Sequence, residues 1–203
     1  RVNNPTYAAM VEHIDHSLGR IMKKLDDLQL SENTVVIFFS DNGGLYQRFD
    51  KQGEPVMVNL PLRDEKGSLY EGGIRVPLIV RWPSKIAAGT VCDTPVSSVD
   101  FVPTMLELAG VDQSKVQIDG QSLVPLLTEA GTLSREGIYW HYPHYHHTSP
   151  AGAVRAGDWK LIEYFDVIFD RSIYSHSINH FTKPNSRSSS MFPKIPFIAI
   201  VAR

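Results

Sequence analysis

Apolar residues open the chain in a helical rhythm. Tyr7, Met10, Ile14, Leu18, Ile21, Leu25 and Leu28 recur at steps of three and four, which draws one stripe along a helix. Asn4 before Pro5 supplies a good cap and a tolerated first-turn proline. The rhythm then changes. Val35–Phe39 is an unbroken β-branched and aromatic run, too short for an ordinary helix and too uniformly apolar for a strand with one wet face. It predicts a central strand of a parallel sheet, covered on both sides. Leu78-Ile79-Val80, closed by Trp82-Pro83, predicts a second buried strand, and 87–92 a loop with a short edge strand. Leu45–Glu65 is polar and aperiodic and reads as a surface loop near the carboxyl end of the first strand.

Ser98–Pro103 opens a further helix, with Pro103 in its first turn, Met105, Leu106 and Ala109 on its apolar face and Gly110 as its C-cap. Leu123–Leu127 is a short apolar piece after the Asp119-Gly120 turn. From Gly137 the texture is different. Ile138-Tyr139-Trp140 is strand-like, and Ala153-Val154-Arg155 and Trp159–Ile162 flank an Ala156-Gly157-Asp158 turn, a hairpin signal. The fold class expected is α/β: part of a mixed, mostly parallel sheet flanked by helices, then a small C-terminal antiparallel β subdomain. The expected division is 1–135 for the α/β portion, 136–165 for the small sheet, and 166–203 as a disordered tail.

Charge separates that tail from the rest. Residues 1–165 hold fifteen basic and twenty acidic residues, whereas 166–203 hold five basic and two acidic with seven serines. Only Phe197–Val201 is strand-like there. The 203-residue chain as a whole carries −2, which points to no nucleic-acid or anionic-membrane partner. No apolar run reaches bilayer-spanning length. Arg1 stands first, and the chain is expected to be a fragment. Cys92 alone excludes an internal disulfide and a multi-cysteine metal site, and it reads as a small half-buried residue.

Chemistry is concentrated in two places. Ser40-Asp41-Asn42-Gly43-Gly44 directly follows the first strand. Asp41 and Asn42 are oxygen donors suited to a hard cation such as Ca²⁺ or Mg²⁺, at the strand end where open α/β sheets bind ligands. Turn chemistry alone also accounts for Asp-Asn-Gly. Lys66–Pro77 packs three glycines together with a lysine, a glutamate and an arginine, which suggests a tight loop against an anion. His141, His144, His146 and His147 crowd the Tyr139–His147 stretch. With Pro143 and interleaved aromatics, and no Cys or carboxylate, the stretch reads as an imidazole and aromatic rim facing substrate rather than a zinc site.

Taken in order, the helix Tyr7–Leu30, TVVIFFSDNGG (34–44), KGSLYEGGIRVPLIVRWP (66–83), SSVDFVPTMLELAGV (98–111), DGQSLVPLL (119–127) and AVRAGDWKLIEYF (153–165) resemble the second half of a sulfatase, within the alkaline-phosphatase-like superfamily. The likeness covers residues 1–165. It implies an enzyme that hydrolyses sulfate esters at Ca²⁺, with Asp41 and Asn42 as metal ligands and Lys66 as the catalytic, sulfate-binding lysine. His141 and His144 are the candidate substrate-binding rim residues. It also implies a sulfated small molecule or polysaccharide as partner, and a periplasmic, secreted or lysosomal setting. The family's Cys/Ser-x-Pro-x-Arg motif, source of its formylglycine nucleophile, is absent; Cys92-Asp93-Thr94-Pro95 places proline one position late. No residue of this chain is therefore assigned as nucleophile. A phosphoester hydrolase of the same superfamily shares the metal end, but the Lys66 block argues for a sulfatase. A non-catalytic module keeping the anion pocket is the remaining alternative.

Overall fold

A computed structural model describes residues 4–46, 49–51, 53–165 and the backbone of 198–201. The first helix, α1, runs Pro5–Asp27. Asn4 is extended, and its side chain accepts the Tyr7 amide at 2.9 Å. The amphipathic stripe is present, yet no residue of α1 is buried. Met10, Ile14, Ile21 and Leu28 are all more than half exposed, whereas Tyr7, Leu18 and Leu25 are half-buried, so the described residues cover the stripe only in part.

The first compact unit comprises 4–66 and 70–95 with the last strand. Its strands are β1 (Val36–Phe39), β2 (Pro77–Arg81), β3 (Val91–Cys92) and, from the chain's end, β7 (Ile198–Val201). They lie in the order β1-β2-β7-β3. β1 and β2 pair antiparallel, with Phe39 opposite Leu78, and β2 and β7 are antiparallel too; only β3 and β7 are parallel. The sheet is mixed as expected but, among the described strands, not mostly parallel. A continuous apolar run is as compatible with an antiparallel neighbour as with a parallel one. β1 is also an edge strand here, half-buried throughout, rather than a central strand covered on both faces. Leu78 and Val80 of β2, each 1% exposed, carry the core instead. The short strand expected at 87–92 does lie on an edge. The strand-like end of the tail is β7; the rest of the expected disordered tail lies outside the described residues. Between β1 and β2 one helical turn, α2 (Glu71–Ile74), stands where a loop was expected.

The second unit comprises 67–69 and 96–165. The boundary drawn from sequence at 135/136 falls inside it. A 3₁₀ turn, Ser98–Asp100, leads into α3 (Phe101–Leu108), and α4 is Val124–Leu127. Gly110 ends the α3 region with φ +67°. The antiparallel sheet β4 (Ile138–Tyr142), β5 (Ala151–Ala156) and β6 (Trp159–Tyr164) follows in that order. Its buried face holds Ile138, Ala151, Ala153 and Ile162, and also Arg155 opposite Lys160. The Lys160 ammonium lies 5.4 Å from the Trp140 ring centroid.

One carboxylate organises the helical part of this unit. Asp100 is fully buried. Its Oδ2 accepts from Ser97 N at 2.8 Å and Arg135 Nη2 at 2.6 Å; its Oδ1 accepts from Gln121 N at 3.0 Å and Arg135 Nη1 at 3.1 Å. The Ser97 side chain in turn accepts the Asp100 amide, a reciprocal cap. Thr104, fully buried one turn on, donates to Asp100 O at 2.6 Å and accepts from Leu123 N at 2.8 Å. Gly120 lies so close that a Cβ there would stand 2.2 Å from Val99 O.

Asp100→Ala leaves Arg135 without its bidentate partner and two amides without an acceptor. The expected loss is about 3–5 kcal/mol in urea unfolding of the second unit. Thr104→Val is expected to cost about 1–3 kcal/mol through the unsatisfied Leu123 amide. A loss below about 1 kcal/mol for Asp100→Ala would mean that the pair does not organise this region.

Candidate functional site

β1 delivers its carboxyl end into a segment held by its own side chains. Ser40 Oγ donates to Asn42 O at 3.0 Å, and Asn42 Nδ2 donates to Gly43 O at 2.9 Å. The amide nitrogen of Asn42 is thereby engaged and its Oδ1 is left to accept or ligate. Asp41 is exposed, and its carboxylate has no hydrogen bond or ion pair among the described residues. Two adjacent oxygen donors thus stand ready at the strand end. They fit a hard cation as a partial set, since Ca²⁺ takes about six to eight oxygens. Among the described residues, no group of three or more His, Cys, Asp or Glu side chains is arranged to hold a metal.

Glycines set how this segment packs. The Gly43 amide donates to Gly73 O at 2.9 Å, and a Cβ on Gly43 would lie 1.7 Å from Gly72 O. A Cβ on Gly72 would lie 2.0 Å from Asp64 O. The Gly72 amide donates to Arg63 O at 2.7 Å, and the Arg63 guanidinium lies 3.9 Å from the Tyr70 ring centroid. Three backbone stretches, 40–44, 63–66 and 71–74, are therefore in direct contact. Only glycine allows such an approach.

Lys66 belongs to this arrangement. Its amide donates to Gly44 O at 3.2 Å, two residues beyond Asn42. Its side chain is exposed, and the ammonium has no partner among the described residues. Glu65, just before it, is fully buried. The backbone of Lys66 is thus tied to the segment that carries Asp41 and Asn42. His141 and His144 belong to the second unit and are both exposed. The His141 ring stands 5.3 Å from the Phe165 ring, and His144 meets Tyr142 edge-on at 5.4 Å. In the same stretch the rings of His146 and His147 lie 4.3 Å apart. Gly67, with φ +91°, packs against both of them.

Sequence reasoning passed over Asn59. Its Nδ2 donates to Gly44 O and to Asp64 O, each at 2.9 Å. An asparagine in a polar, aperiodic loop gives no pattern signal.

Comparison with known proteins places the chain in a family. A family model described as Sulfatase matches residues 3–111, and one described as N-sulphoglucosamine sulphohydrolase, C-terminal, matches 64–180. A sulfatase of Formosa agariphila is 39% identical over 153 residues, covering 68% of this chain and 26% of the relative. Human arylsulfatase A is 36% identical over 147 residues, covering 72% and 28%. A solved structure in complex with its substrate, D-glucosamine-2-N,6-O-disulfate, superposes with a TM-score of 0.62 at 30% identity, over 84% of this chain and 31% of that one. The chain spans about a quarter of the length of these curated relatives. With more than half of its residues inside the Sulfatase match, the chain belongs to the sulfatase family.

Proposed function

We propose that this chain contributes part of the active site of a sulfuric ester hydrolase that cleaves sulfated sugars or related sulfate esters. The observation that carries the reading is the contact of backbone stretches that brings two oxygen donors at a strand's carboxyl end and the backbone of Lys66, tied to Gly44 O, into one framework, with the Lys66 ammonium lacking a partner among the described residues. In this reading Asp41 and the Oδ1 of Asn42 hold Ca²⁺. When bound, the ion supplies Lewis-acid stabilisation of charge on the sulfuryl oxygens. Lys66 binds the sulfate group, a compact anion suited to a point charge with three donors. Preorganisation extends to the backbone that carries these donors, which the glycine contacts hold before substrate arrives.

The substrate class is supported by the relative whose structure contains a disulfated glucosamine. The chain has no Cys/Ser-x-Pro-x-Arg motif, so the formylglycine nucleophile is assigned to a part of the active site outside these residues. The partly covered stripe of α1 and the half-buried β1 support the same reading, because an α/β layer of this kind is completed by further elements. No helix among the described residues is long and apolar enough to cross a membrane.

Three outcomes are expected. In a full-length sulfatase carrying this chain, Lys66→Ala lowers turnover by about a hundredfold or more, and Lys66→Arg restores little of it. Asp41→Ala in the same protein abolishes the Ca²⁺ dependence of aryl-sulfate hydrolysis while the thermal melt stays close to wild type; an unaltered Ca²⁺ response rules out the metal assignment. The 203-residue chain alone, assayed with an aryl sulfate with and without Ca²⁺, shows no turnover above the blank. Turnover that persists after Cys92→Ala would contradict the assignment of the nucleophile.

A further inference from the structure

We propose that Asn59 is a positioning residue of this site, whose side-chain amide fixes the spacing between the Asp41-Asn42 end of β1 and Lys66. The proposal rests on the reading of Lys66 as the sulfate-binding group. The Asn59 Nδ2 donates to two carbonyl oxygens, those of Gly44 and Asp64, each at 2.9 Å. Only a group with two hydrogens on one atom can serve both, so the partners themselves set the orientation of the amide. Gly44 O also accepts from Lys66 N at 3.2 Å. One carbonyl at the end of β1 therefore receives both the loop's asparagine and the lysine's own backbone.

The loop is shaped to bring Asn59 there. Asn59 O accepts from Leu62 N at 2.8 Å, closing a turn beneath the side chain. Asp64 adopts φ +68°, and its Oδ1 accepts from Glu65 N at 2.9 Å. That left-handed residue directs the chain into Lys66, and its carbonyl is the one Asn59 holds. A Cβ on Gly44 would stand 3.1 Å from Asn59 Oδ1 and 2.2 Å from Met57 Sδ, so Asn59 and Met57 lie flush against the strand end. Asn59 touches neither proposed metal ligand. It acts through Gly44 on one side and Asp64 on the other.

The test uses the isotope-labelled 203-residue chain with inorganic sulfate as probe, binding being read by calorimetry and amide exchange at residue 66 by NMR. Asn59→Leu keeps the volume and removes both donors; Asn59→Asp sets a carboxylate against two carbonyl oxygens. Both are expected to speed Lys66 amide exchange and to weaken sulfate binding about tenfold, the scale of one lost bifurcated contact. Asn59→Gln, which keeps the two hydrogens, is expected to recover part of the affinity. Lys66→Ala is the control and removes the response. If Lys66→Ala binds sulfate like wild type, the sulfate reading of Lys66 fails, and the positioning role falls with it. If the control behaves as expected but Asn59→Leu changes neither exchange nor affinity, or changes exchange alone, Asn59 has no positioning role while the sulfate reading stands.

Discussion

At Gly43 and Gly72 two stretches of backbone meet with no room for a side-chain atom between them. Everything proposed for the site depends on that contact. It places the turn after β1 against the single helical turn of α2, and Gly72 in turn rests on Asp64 O. Two stretches close in sequence, 63–66 and 71–74, and a third some twenty residues earlier, 40–44, are thereby layered within van der Waals reach. The donors that follow from the layering are backbone amides: Gly43 to Gly73, Gly72 to Arg63, Lys66 to Gly44. A framework assembled from main chain leaves only the side chains it carries to be ordered when a ligand arrives. A methyl group at Gly43 or Gly72 would separate the layers and move Lys66 relative to Asp41.

The second unit reaches the same end by different means. Where the first relies on the absence of side chains, the second relies on one buried side chain with four donors. Asp100 collects the cap of α3, the turn at Gln121 and the guanidinium of Arg135. A buried carboxylate is tolerable only when its lone pairs are filled, and here both oxygens are filled twice. The close approach of Gly120 to Val99 O is a condition of that geometry, since a bulkier residue would push Gln121 N away.

Much of this was legible in the chain. The stripe of α1, the capped start at Asn4, the helix after Ser98 and the hairpin around Gly157 all follow from periodicity and turn chemistry, which are local. The pairing of β1 was not legible. Val35–Phe39 has the same apolar run whether its neighbour is parallel or antiparallel, and the direction of β2 depends on how the loop at 45–76 returns. Asp41, Asn42 and Lys66 were visible as residue types in a suggestive order, but the contact that joins them runs through glycine backbones and carries no side-chain signature. Asn59 was invisible for a related reason: its partners are carbonyl oxygens, which every residue has. Arg155 and Lys160 looked like ordinary strand residues of a hairpin, although both are buried.

The choice of cation at the site has a physical reading too. The segment from Arg63 to Arg75 carries three positive side chains. Arg63 lies over the Tyr70 ring, where a delocalised planar cation stacks well. Arg75 has an interaction of its own. Among the described residues Lys66 alone of the three has no partner for its head group, and it is the one whose backbone is tied to the segment after β1. An ammonium on a flexible stem can follow a sulfuryl group as its geometry changes, because it needs no fixed plane. A guanidinium in that place would need a bidentate partner to be held as well. Under the proposed assignment the two arginines suit the framework and the lysine suits the ligand, a division that follows from the shape of each cation rather than from its charge.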